Sequence, residues 1–337
     1  MFMLELAVNN KMSDLKTLFS NFNIVGPISL AVAIPWIMFK MFSAVWIKKN
    51  YNELAGKVVV ITGASSGLGE ALAHEFYKLG AQVVLCARRR QELERVRTDL
   101  LHTYCKDTTH PPIIIPLDLS KYNDMQNHVD KILSITGRID ILVNNGGISH
   151  RGRVKDTTID VDKNIMDVNY FGAVALTKAV LPDMLKKKSG HIVFISSIQG
   201  LVALPDRSAY SASKHALQAF GDSLRAEVAS DNISVSTISP GYIKTQLSMN
   251  ALTGSGQTYG EMDATTASGF TPDYAAKEIV RAVVVKRKEL VLSTLLPKIA
   301  IFLRKYFPFL YFVVMERRAK RASLAELAKS KPDEKTN

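Results

Sequence analysis

The sequence has few cysteines and no evident cluster of metal-ligating side chains. Cys86 and Cys105 are its only cysteines, which excludes a disulfide framework as the basis of the fold. The seven histidines lack ligand spacing with cysteine or paired carboxylates, so we expect no metal site. Internal repeats, low-complexity segments and nucleic-acid-binding motifs are also missing, and we therefore expect no nucleic-acid partner. The final residues, Lys335 to Asn337, match neither a peroxisomal nor an endoplasmic-reticulum retrieval tail.

Acidic residues are too few to balance the basic ones. The chain has 43 lysines and arginines against 31 acids, and its net charge is +12. Much of this excess lies outside the central region, in Lys48-Lys49, Lys286-Arg287-Lys288, Arg304-Lys305 and Arg317 to Arg321. A solvated surface and attraction to anionic lipid headgroups are the two interpretations. With 337 residues, 47% of them hydrophobic, the chain can form one large α/β domain with appendages.

The longest apolar stretch, from Ile24 to Ile47, contains one charge, Lys40. At about 1.5 Å per residue, a helix of this length crosses a hydrocarbon layer about 30 Å thick. Pro35 would kink the helix and also permits a hairpin that does not cross. A cleaved signal peptide is the alternative, disfavoured because the stretch is long and lacks a convincing cleavage site. We expect a membrane anchor, single-pass or hairpin, with the following domain in the cytosol because Lys48 and Lys49 adjoin the anchor.

From residue 57 onward, short apolar runs alternate with amphipathic helical patterns. The predicted strands are Lys57 to Ile61, Gln82 to Ala87, Ile113 to Pro116, Ile141 to Asn144, His191 to Ile195 and Ser234 to Ser239. The predicted helices lie near Leu68 to Leu79, Gln91 to Thr103, Asp124 to Thr136, Val161 to Leu185, Tyr210 to Ala229 and Asp273 to Val285, with a mobile loop at Gln246 to Phe270. This alternation is typical of an α/β fold with a Rossmann-type, doubly wound parallel sheet.

The chain therefore divides into four parts. An N-terminal tail (1–23) precedes the anchor (24–47), a single catalytic domain follows (51–291), and a basic and apolar extension (292–337) ends the chain. The charges in that extension favour an interfacial or docked surface helix over a second membrane span.

A glycine-rich loop directly follows the first predicted strand, with the sequence T-G-A-S-S-G-L-G from Thr62 to Gly69. Glycines in such a loop allow a tight turn and let the backbone approach a pyrophosphate at the start of a helix. A tight turn alone is the alternative, but the strand–turn–helix context favours a dinucleotide cofactor. The predicted cofactor-binding residues here are Gly63, Ser65, Ser66, Gly67, Leu68 and Gly69.

The end of the second strand indicates which dinucleotide binds. It reads C-A-R-R-R over residues 86–90, without the carboxylate that would bind the ribose 2′-hydroxyl of NAD. A guanidinium group can bind a 2′-phosphate through paired hydrogen bonds. We predict NADP(H), bound through Arg88, with NAD(H) as the alternative. Asp118 and Asn145 follow the third and fourth strands, where they should face the adenine side of the cofactor.

Tyr210 and Lys214 lie one helical turn apart, and no other tyrosine of the eleven has a lysine four residues later. A nearby ammonium lowers the pKa of a phenol from its usual value of about 10, which suits acid–base chemistry. Ser197 lies thirteen residues before Tyr210, at the end of the fifth strand. Because neighbouring strand residues point to opposite faces, at most one of Ser196 and Ser197 should face the site.

With these motifs in this order, the chain resembles the short-chain dehydrogenase/reductase family from about Gly56 to Leu290. The resemblance implies that Tyr210 is the general acid–base and that Lys214 lowers its pKa and binds the nicotinamide ribose. It implies that Ser197 bonds the substrate carbonyl and that Asn169 supports a proton relay. The family segment beside the nicotinamide carboxamide is matched by Pro240, Gly241 and Thr245. A homo-oligomer is implied in the same way.

Three segments, 168–172, 197–200 and 240–243, resemble a membrane-bound branch of that family. Its members are linked to the endoplasmic reticulum and peroxisomes, and reduction of an ether-lipid precursor has been assigned to one of them. The resemblance implies reduction of a ketone in a lipophilic substrate such as acyl- or alkyl-dihydroxyacetone phosphate. The alternatives are an NAD-linked steroid or retinoid dehydrogenase and a catalytically idle, cofactor-bound membrane scaffold. The complete set of Asn169, Ser197, Tyr210 and Lys214 favours an enzyme.

Overall fold

A parallel β-sheet organises the part of the chain that the computed structural model describes, residues 51–104 and 110–330. In chain order the strands are β1 (Val58–Thr62), β2 (Gln82–Ala87), β3 (Ile113–Pro116), β4 (Ile141–Asn144), β5 (His150–Arg151), β6 (Gly190–Ile195), β7 (Ile233–Pro240), β8 (Leu252–Thr253) and β9 (Glu289–Leu292). Seven of them form the main sheet in the order β3-β2-β1-β4-β6-β7-β9, with every pair parallel. The two short strands β5 and β8 pair separately.

Helices cover the sheet. They are α1 (Gly67–Lys78), α2 (Arg90–Thr103), α3 (Met125–Thr136), α4 (Ile159–Met166), α5 (Gly172–Lys187), α6 (Ser208–Glu227), α7 (Ala264–Ala267), α8 (Pro272–Val284), α9 (Leu295–Tyr306) and α10 (Pro308–Ser330). Helix α1 packs on α8, and α3 packs on α5. All five residues of β1 are buried, as expected for a central strand with helices on both faces. The predicted Rossmann-type fold is confirmed.

The predicted strands and helices are found within two residues of their expected bounds, except in one helix. The segment predicted as a single helix from Val161 to Leu185 consists of α4, a π-helical turn at Asp167–Phe171 and α5. Strand β9 was not predicted, because its four residues directly follow the charged run Lys286-Arg287-Lys288. The segment predicted as a loop, Gln246 to Phe270, includes β8 and the short helix α7.

The strand order reverses at the centre of the sheet. Strand β1 lies between β2 and β4, so the connections run outward in both directions from this point. A crevice forms at the carboxyl ends of strands where such a reversal occurs, and ligands of open α/β sheets bind there. The glycine-rich loop follows β1 at this edge, and Asn145 follows β4.

The predicted N-terminal tail and anchor, residues 1–23 and 24–47, lie outside the described residues. No helix in the described ranges combines the length and the apolar character needed to cross a membrane. The predicted C-terminal extension contains α9 and α10, and residues 331–337 lie outside the description.

Candidate active site

At the start of α1, the glycine-rich loop exposes backbone atoms that no side chain covers. Gly63 and Gly67 have φ angles of +66° and +58°, in the left-handed region that favours glycine. A β-carbon on Gly69 would lie 2.1 Å from the Gly63 carbonyl oxygen, so no larger residue fits there. The side chain of Ser66, which precedes the helix, does not cap the first amides of α1. Bare backbone and a helix N-terminus together fit a pyrophosphate group.

A cleft of about 590 Å³ opens beside this loop at the carboxyl edge of the sheet. Its lining includes every residue predicted to bind the cofactor: Gly63, Ser65, Ser66, Gly67, Leu68, Gly69, Arg88, Asp118, Asn145, Tyr210, Lys214, Pro240, Gly241 and Thr245. Ser197 lines the same cleft. The fold therefore brings residues from the glycine loop, the strand ends and helix α6 to one cavity.

The basic end of β2 contributes two arginines to the cleft, Arg88 and Arg89. Within the described ranges, neither of them forms an ion pair. Arg90 is not part of the lining, and its Nε donates a 2.8 Å hydrogen bond to Glu94 on the next turn of α2. Arg89 is thus a second candidate for binding a phosphate, whereas the sequence favoured Arg88 alone.

Hydrogen bonds fix the strand ends that follow β3 and β4. Asp118 Oδ1 accepts from the Ser120 amide at 3.0 Å and from the Ser120 hydroxyl at 2.8 Å, which closes a turn. Asn145 Nδ2 donates to the Thr62 carbonyl at 2.8 Å, and the backbone N–H of Asn145 donates to Thr62 Oγ1 at 3.0 Å. The ends of β1 and β4 are therefore held together beside the cleft.

Helix α6 places Tyr210 and Lys214 in the cleft wall, both of them buried. Lys214 Nζ donates to the Ile195 carbonyl at 2.9 Å and lies 5.8 Å from the centroid of the Tyr210 ring. Ser197 lines the cleft with Tyr210, and its side chain acts to lower the Tyr210 pKa. The Ser196 hydroxyl instead donates to the Lys214 carbonyl at 3.2 Å. Of the two serines, the structure brings Ser197 to the tyrosine.

Burial dominates the electrostatics of this pair. It raises the pKa of Tyr210, and the Ser197 side chain and the positive charge of Arg151 act in the opposite direction. Burial also lowers the pKa of Lys214 to about 8. Burial therefore outweighs the other effects on the Tyr210 pKa, and the lowering of that pKa by Lys214 stays a prediction. A phenol with a raised pKa is protonated at neutral pH and can act as a proton donor.

Asn169, the predicted relay residue, lies in the π-helical turn and is buried. Its side chain bonds both backbone groups of Ile148, accepting from N at 2.8 Å and donating to O at 2.9 Å, and also donates to Ser213 Oγ at 3.0 Å. Gly147 lies between Asn169 and Lys214, since a β-carbon there would be 2.9 Å from Asn169 Oδ1 and 3.6 Å from Lys214 Nζ. Asn169 therefore holds the chain after β4, and its role in a relay stays a prediction.

Three charged residues of the cleft region were missed by the sequence reasoning: Arg151, Arg207 and Asp263. The two arginines line the cleft and are almost buried, and both donate to Asp263 Oδ2, from Arg151 Nε at 3.0 Å and from Arg207 Nη2 at 3.2 Å. No motif indicates this cluster, because Asp263 is 112 residues from Arg151 in the chain.

One group of metal-ligand types is present in the described ranges, although none was expected. Glu70, His74 and Asp99 bring their ligand atoms within 4.8 Å of one another. Arg95 Nη1 and Nη2 bond the two carboxylate oxygens of Glu70 at 2.8 and 3.0 Å, and His74 Nε2 lies 3.2 Å from Asp99. These side chains are already paired on the surface, and we assign them no metal.

Comparison with known proteins identifies the family. A family model described as short chain dehydrogenase matches residues 57–255, which include the glycine loop and the Tyr210–Lys214 pair. The chain belongs to the short-chain dehydrogenase/reductase family. It is therefore an oxidoreductase whose cleft serves a nicotinamide cofactor, as the sequence predicted.

Relatives in this family match most of the chain. A Dehydrogenase/reductase SDR family protein 7-like from Drosophila melanogaster is 53% identical over 303 residues, covering 90% of this chain and 93% of the relative. Dehydrogenase/reductase SDR family member 7B from Xenopus laevis is 49% identical over 274 residues, covering 81% of this chain and 85% of the relative. The narrower resemblance, to member 7B and its close relatives, is thereby confirmed.

Two solved short-chain dehydrogenase/reductase-like structures share the fold. A Burkholderia phymatum enzyme in complex with NAD is 23% identical, with a TM-score of 0.63, over 71% of this chain and 89% of that one. An alcohol dehydrogenase from Thermococcus sibiricus, complexed with 5-hydroxy-NADP, is 25% identical with a TM-score of 0.60, over 70% and 95%. These likenesses show that the fold is shared, and the bound NAD and 5-hydroxy-NADP are ligands of those two proteins.

Proposed function

We propose that the protein is a membrane-bound, NADP(H)-dependent reductase that converts a ketone group of a lipophilic substrate to an alcohol. The observation that carries the proposal is the position of Tyr210, buried in the wall of the cleft with Ser197 in the same lining and Lys214 Nζ 5.8 Å from its ring centroid. A carbonyl oxygen that gains negative charge during reduction needs a proton donor in this position.

The residues of the chain have separate roles in the proposed reaction. The glycine loop would hold the pyrophosphate of NADPH and Arg88 its 2′-phosphate, and the bound nicotinamide would supply a hydride to the carbonyl carbon. Ser197 would hold the carbonyl oxygen, and Tyr210 would transfer its phenolic proton to that oxygen. Lys214 would bind the nicotinamide ribose, and its ammonium would stabilise the phenolate left behind.

The substrate side of the cleft supports a lipophilic molecule with an anionic group. Apolar side chains in the lining include Ile148, Ile243, Leu247 and Leu252. Two guanidinium groups, those of Arg151 and Arg207, share one carboxylate there, which leaves an excess positive charge. Acyl- or alkyl-dihydroxyacetone phosphate has a ketone, a phosphate and a long chain, and is our candidate substrate.

A long-chain ketone should be a better substrate than its short-chain analogue. Burial of two further methylene groups contributes about 1.6 kcal/mol, so kcat/KM should rise more than roughly tenfold. The measurement compares acyl-dihydroxyacetone phosphates of different chain length, with the full-length protein in liposomes and NADPH. The shared phosphate keeps the anionic contribution constant. An equal or higher kcat/KM for the short-chain compound would show that the cleft does not select for a lipid chain.

Replacing Arg88 by aspartate should move cofactor preference from NADPH towards NADH. Loss of one charge-assisted hydrogen bond to the 2′-phosphate costs about 2–3 kcal/mol, so the NADPH-to-NADH ratio of kcat/KM should fall roughly 30- to 150-fold. The matched control is Arg90→Asp, because Arg90 bonds Glu94 outside the cleft and its replacement should leave the ratio unchanged. If Arg88→Asp leaves the ratio unchanged as well, Arg88 does not bind the phosphate.

The proposed location is the membrane of the endoplasmic reticulum or peroxisome, with the catalytic domain in the cytosol. Asn232 tests this orientation because Asn232-Ile233-Ser234 is a glycosylation sequence and the Asn232 side chain is exposed. We expect no glycan at Asn232 and digestion of the domain by protease added to sealed microsomes. Protection from the protease, or a glycan removed by glycosidase, would place the domain in the lumen.

A further inference from the structure

The C-terminal helices α9 and α10 form an apolar surface that nothing in the described part of the protein covers. Ten of the seventeen large apolar side chains that are exposed there lie between residues 295 and 314. They are Leu295, Leu296, Ile299, Phe302, Tyr306, Phe307, Phe309, Leu310, Phe312 and Val314. We call residues 295–314 the apolar hairpin. A large group of neighbouring apolar side chains exposed on a protein surface marks an interaction site.

The exposed side chains follow the helical repeat. Leu295, Ile299, Phe302 and Tyr306 are spaced by four, three and four residues, which places them on one face of α9. Such a stripe normally faces a core, but all four side chains are exposed here. These side chains remain exposed although helix α9 packs on α10, so the stripe is not the contact between these two helices. The hairpin therefore presents a core-like face outward.

The charges around the hairpin are mostly positive. Residues 291–315 contain no acid and three cations, Lys298, Arg304 and Lys305. The next six residues, 316–321, contain one acid and four cations. The Arg304 guanidinium lies 5.2 Å from the Phe312 ring centroid, and Lys305 Nζ lies 5.3 Å from the Tyr306 ring centroid. Aromatic rings with cations beside them suit the boundary between acyl chains and anionic headgroups.

A buried tyrosine with a hydrogen bond joins the hairpin to the active-site region. Tyr311, unlike its neighbours, is buried, and its hydroxyl donates to the Ala203 carbonyl. Ala203 lies in the segment between Ser197 and Arg207, both of which line the cleft. The apolar hairpin is therefore held near the substrate side of the cleft.

We propose that the apolar hairpin is a docking face for an anionic lipid surface, in addition to any anchor formed by residues 24–47. A lipid surface fits better than a second copy of this chain, because apposed hairpins would bring their arginines and lysines together. Rings and aliphatic side chains would enter the acyl region while Lys298, Arg304 and Lys305 meet the headgroups. The inference goes beyond the proposed reaction and does not depend on it.

The test places a fluorescent label on the hairpin in the full-length protein. Phe309, whose side chain is 76% exposed, is replaced by cysteine and labelled with the fluorophore NBD in a Cys105→Ser background. The remaining Cys86 is fully buried, and burial raises its thiol pKa to about 12, so it should not react. Ile135→Cys on α3, 53% exposed, is the matched control. The protein is reconstituted in vesicles of phosphatidylcholine with or without phosphatidylserine.

Quenchers in the two phases then report what covers the label. We expect the label at position 309 to be quenched by lipids spin-labelled in the acyl chain and shielded from aqueous iodide, more so with phosphatidylserine. The label at position 135 should show the reverse. Shielding from both quenchers would mean that protein covers the face, either a second copy or residues 24–47, and would overturn the proposal. Quenching by iodide alone, or equal insertion without phosphatidylserine, would overturn it too.

Two further variants test the positive charges of the hairpin and the bond that joins the hairpin to the active-site region. Arg304→Gln with Lys305→Gln should remove the dependence on phosphatidylserine while leaving turnover of a water-soluble ketone unchanged. Tyr311→Phe removes the bond to Ala203 and should lower kcat/KM for a membrane-borne ketone but not for the soluble one, an arm that rests on the proposed function. Lipid quenching without any turnover would contradict the proposed reaction alone. Turnover without lipid quenching would contradict the docking face alone.

Discussion

Replacing Tyr210 by phenylalanine should lower kcat for ketone reduction by roughly 10²- to 10⁴-fold, the usual contribution of a positioned general acid. The affinity for NADPH should be almost unchanged, because the ring still fills its buried place in α6 and only the phenolic O–H is lost. Steady-state kinetics with a ketone and fluorescence titration with NADPH measure the two quantities separately.

The control for this substitution is Tyr104→Phe. Tyr104 is a second tyrosine whose pKa is raised by burial, but it is only partly buried, lies at the end of α2 and does not line the cleft. Its replacement should leave kcat unchanged. A substantial residual rate of Tyr210→Phe at neutral pH would contradict the assignment of this residue as the acid.

The pH dependence gives a second measurement of the same group. Reduction requires the protonated phenol and, in the proposed reaction, the charged ammonium of Lys214. Since burial lowers the pKa of Lys214 to about 8, the rate should be constant at low pH and start to fall as the pH rises through about 8. Burial raises the pKa of Tyr210, so a second fall should lie above the usual range of a tyrosine. A rate that stays constant through pH 8 and beyond would contradict the role of the Lys214 ammonium.

Local patterns predicted much of the fold and of the site. The apolar runs of β2, β3 and β4 match the observed strands residue for residue, because buried parallel strands are short and continuously apolar. The glycine loop and the Tyr210–Lys214 spacing are equally local. Each is a short segment whose function depends on its own backbone conformation or on one helical turn, and such segments are readable without the fold.

Contacts between distant segments could not be predicted in this way. The pairing of Arg151 and Arg207 with Asp263 depends on how the segment after β7 returns over the cleft, and no spacing in the chain encodes that path. The same holds for the pKa of Tyr210. The sequence indicates a lysine beside the phenol, but the degree of burial and the bond from Lys214 to Ile195 follow from tertiary packing. Net electrostatic effects at the site therefore needed the structure.

Replacing Gly69 by alanine should weaken cofactor binding strongly. The added β-carbon would lie 2.1 Å from the Gly63 carbonyl oxygen, a backbone atom that cannot rotate away, so the loop must move. Overpacking of this kind costs about 3 kcal/mol, and if the displaced loop loses its fit to the pyrophosphate, the Kd for NADPH should rise roughly 100-fold. Fluorescence titration measures the Kd, and thermal unfolding without cofactor measures stability.

A second glycine variant separates loss of the cofactor site from loss of the fold. Gly137 has a φ angle of +70° and no atom within 4 Å of a β-carbon, so Gly137→Ala adds backbone strain of about 1–2 kcal/mol without a clash. We expect a lower midpoint of unfolding for this variant and an unchanged Kd for NADPH. If Gly69→Ala were to bind NADPH as the unmodified protein does, the pyrophosphate would not lie on the glycine loop. If both variants lost affinity in parallel with their loss of stability, the effect of Gly69→Ala would be unfolding, and the proposed cradle at the start of α1 would lose its support.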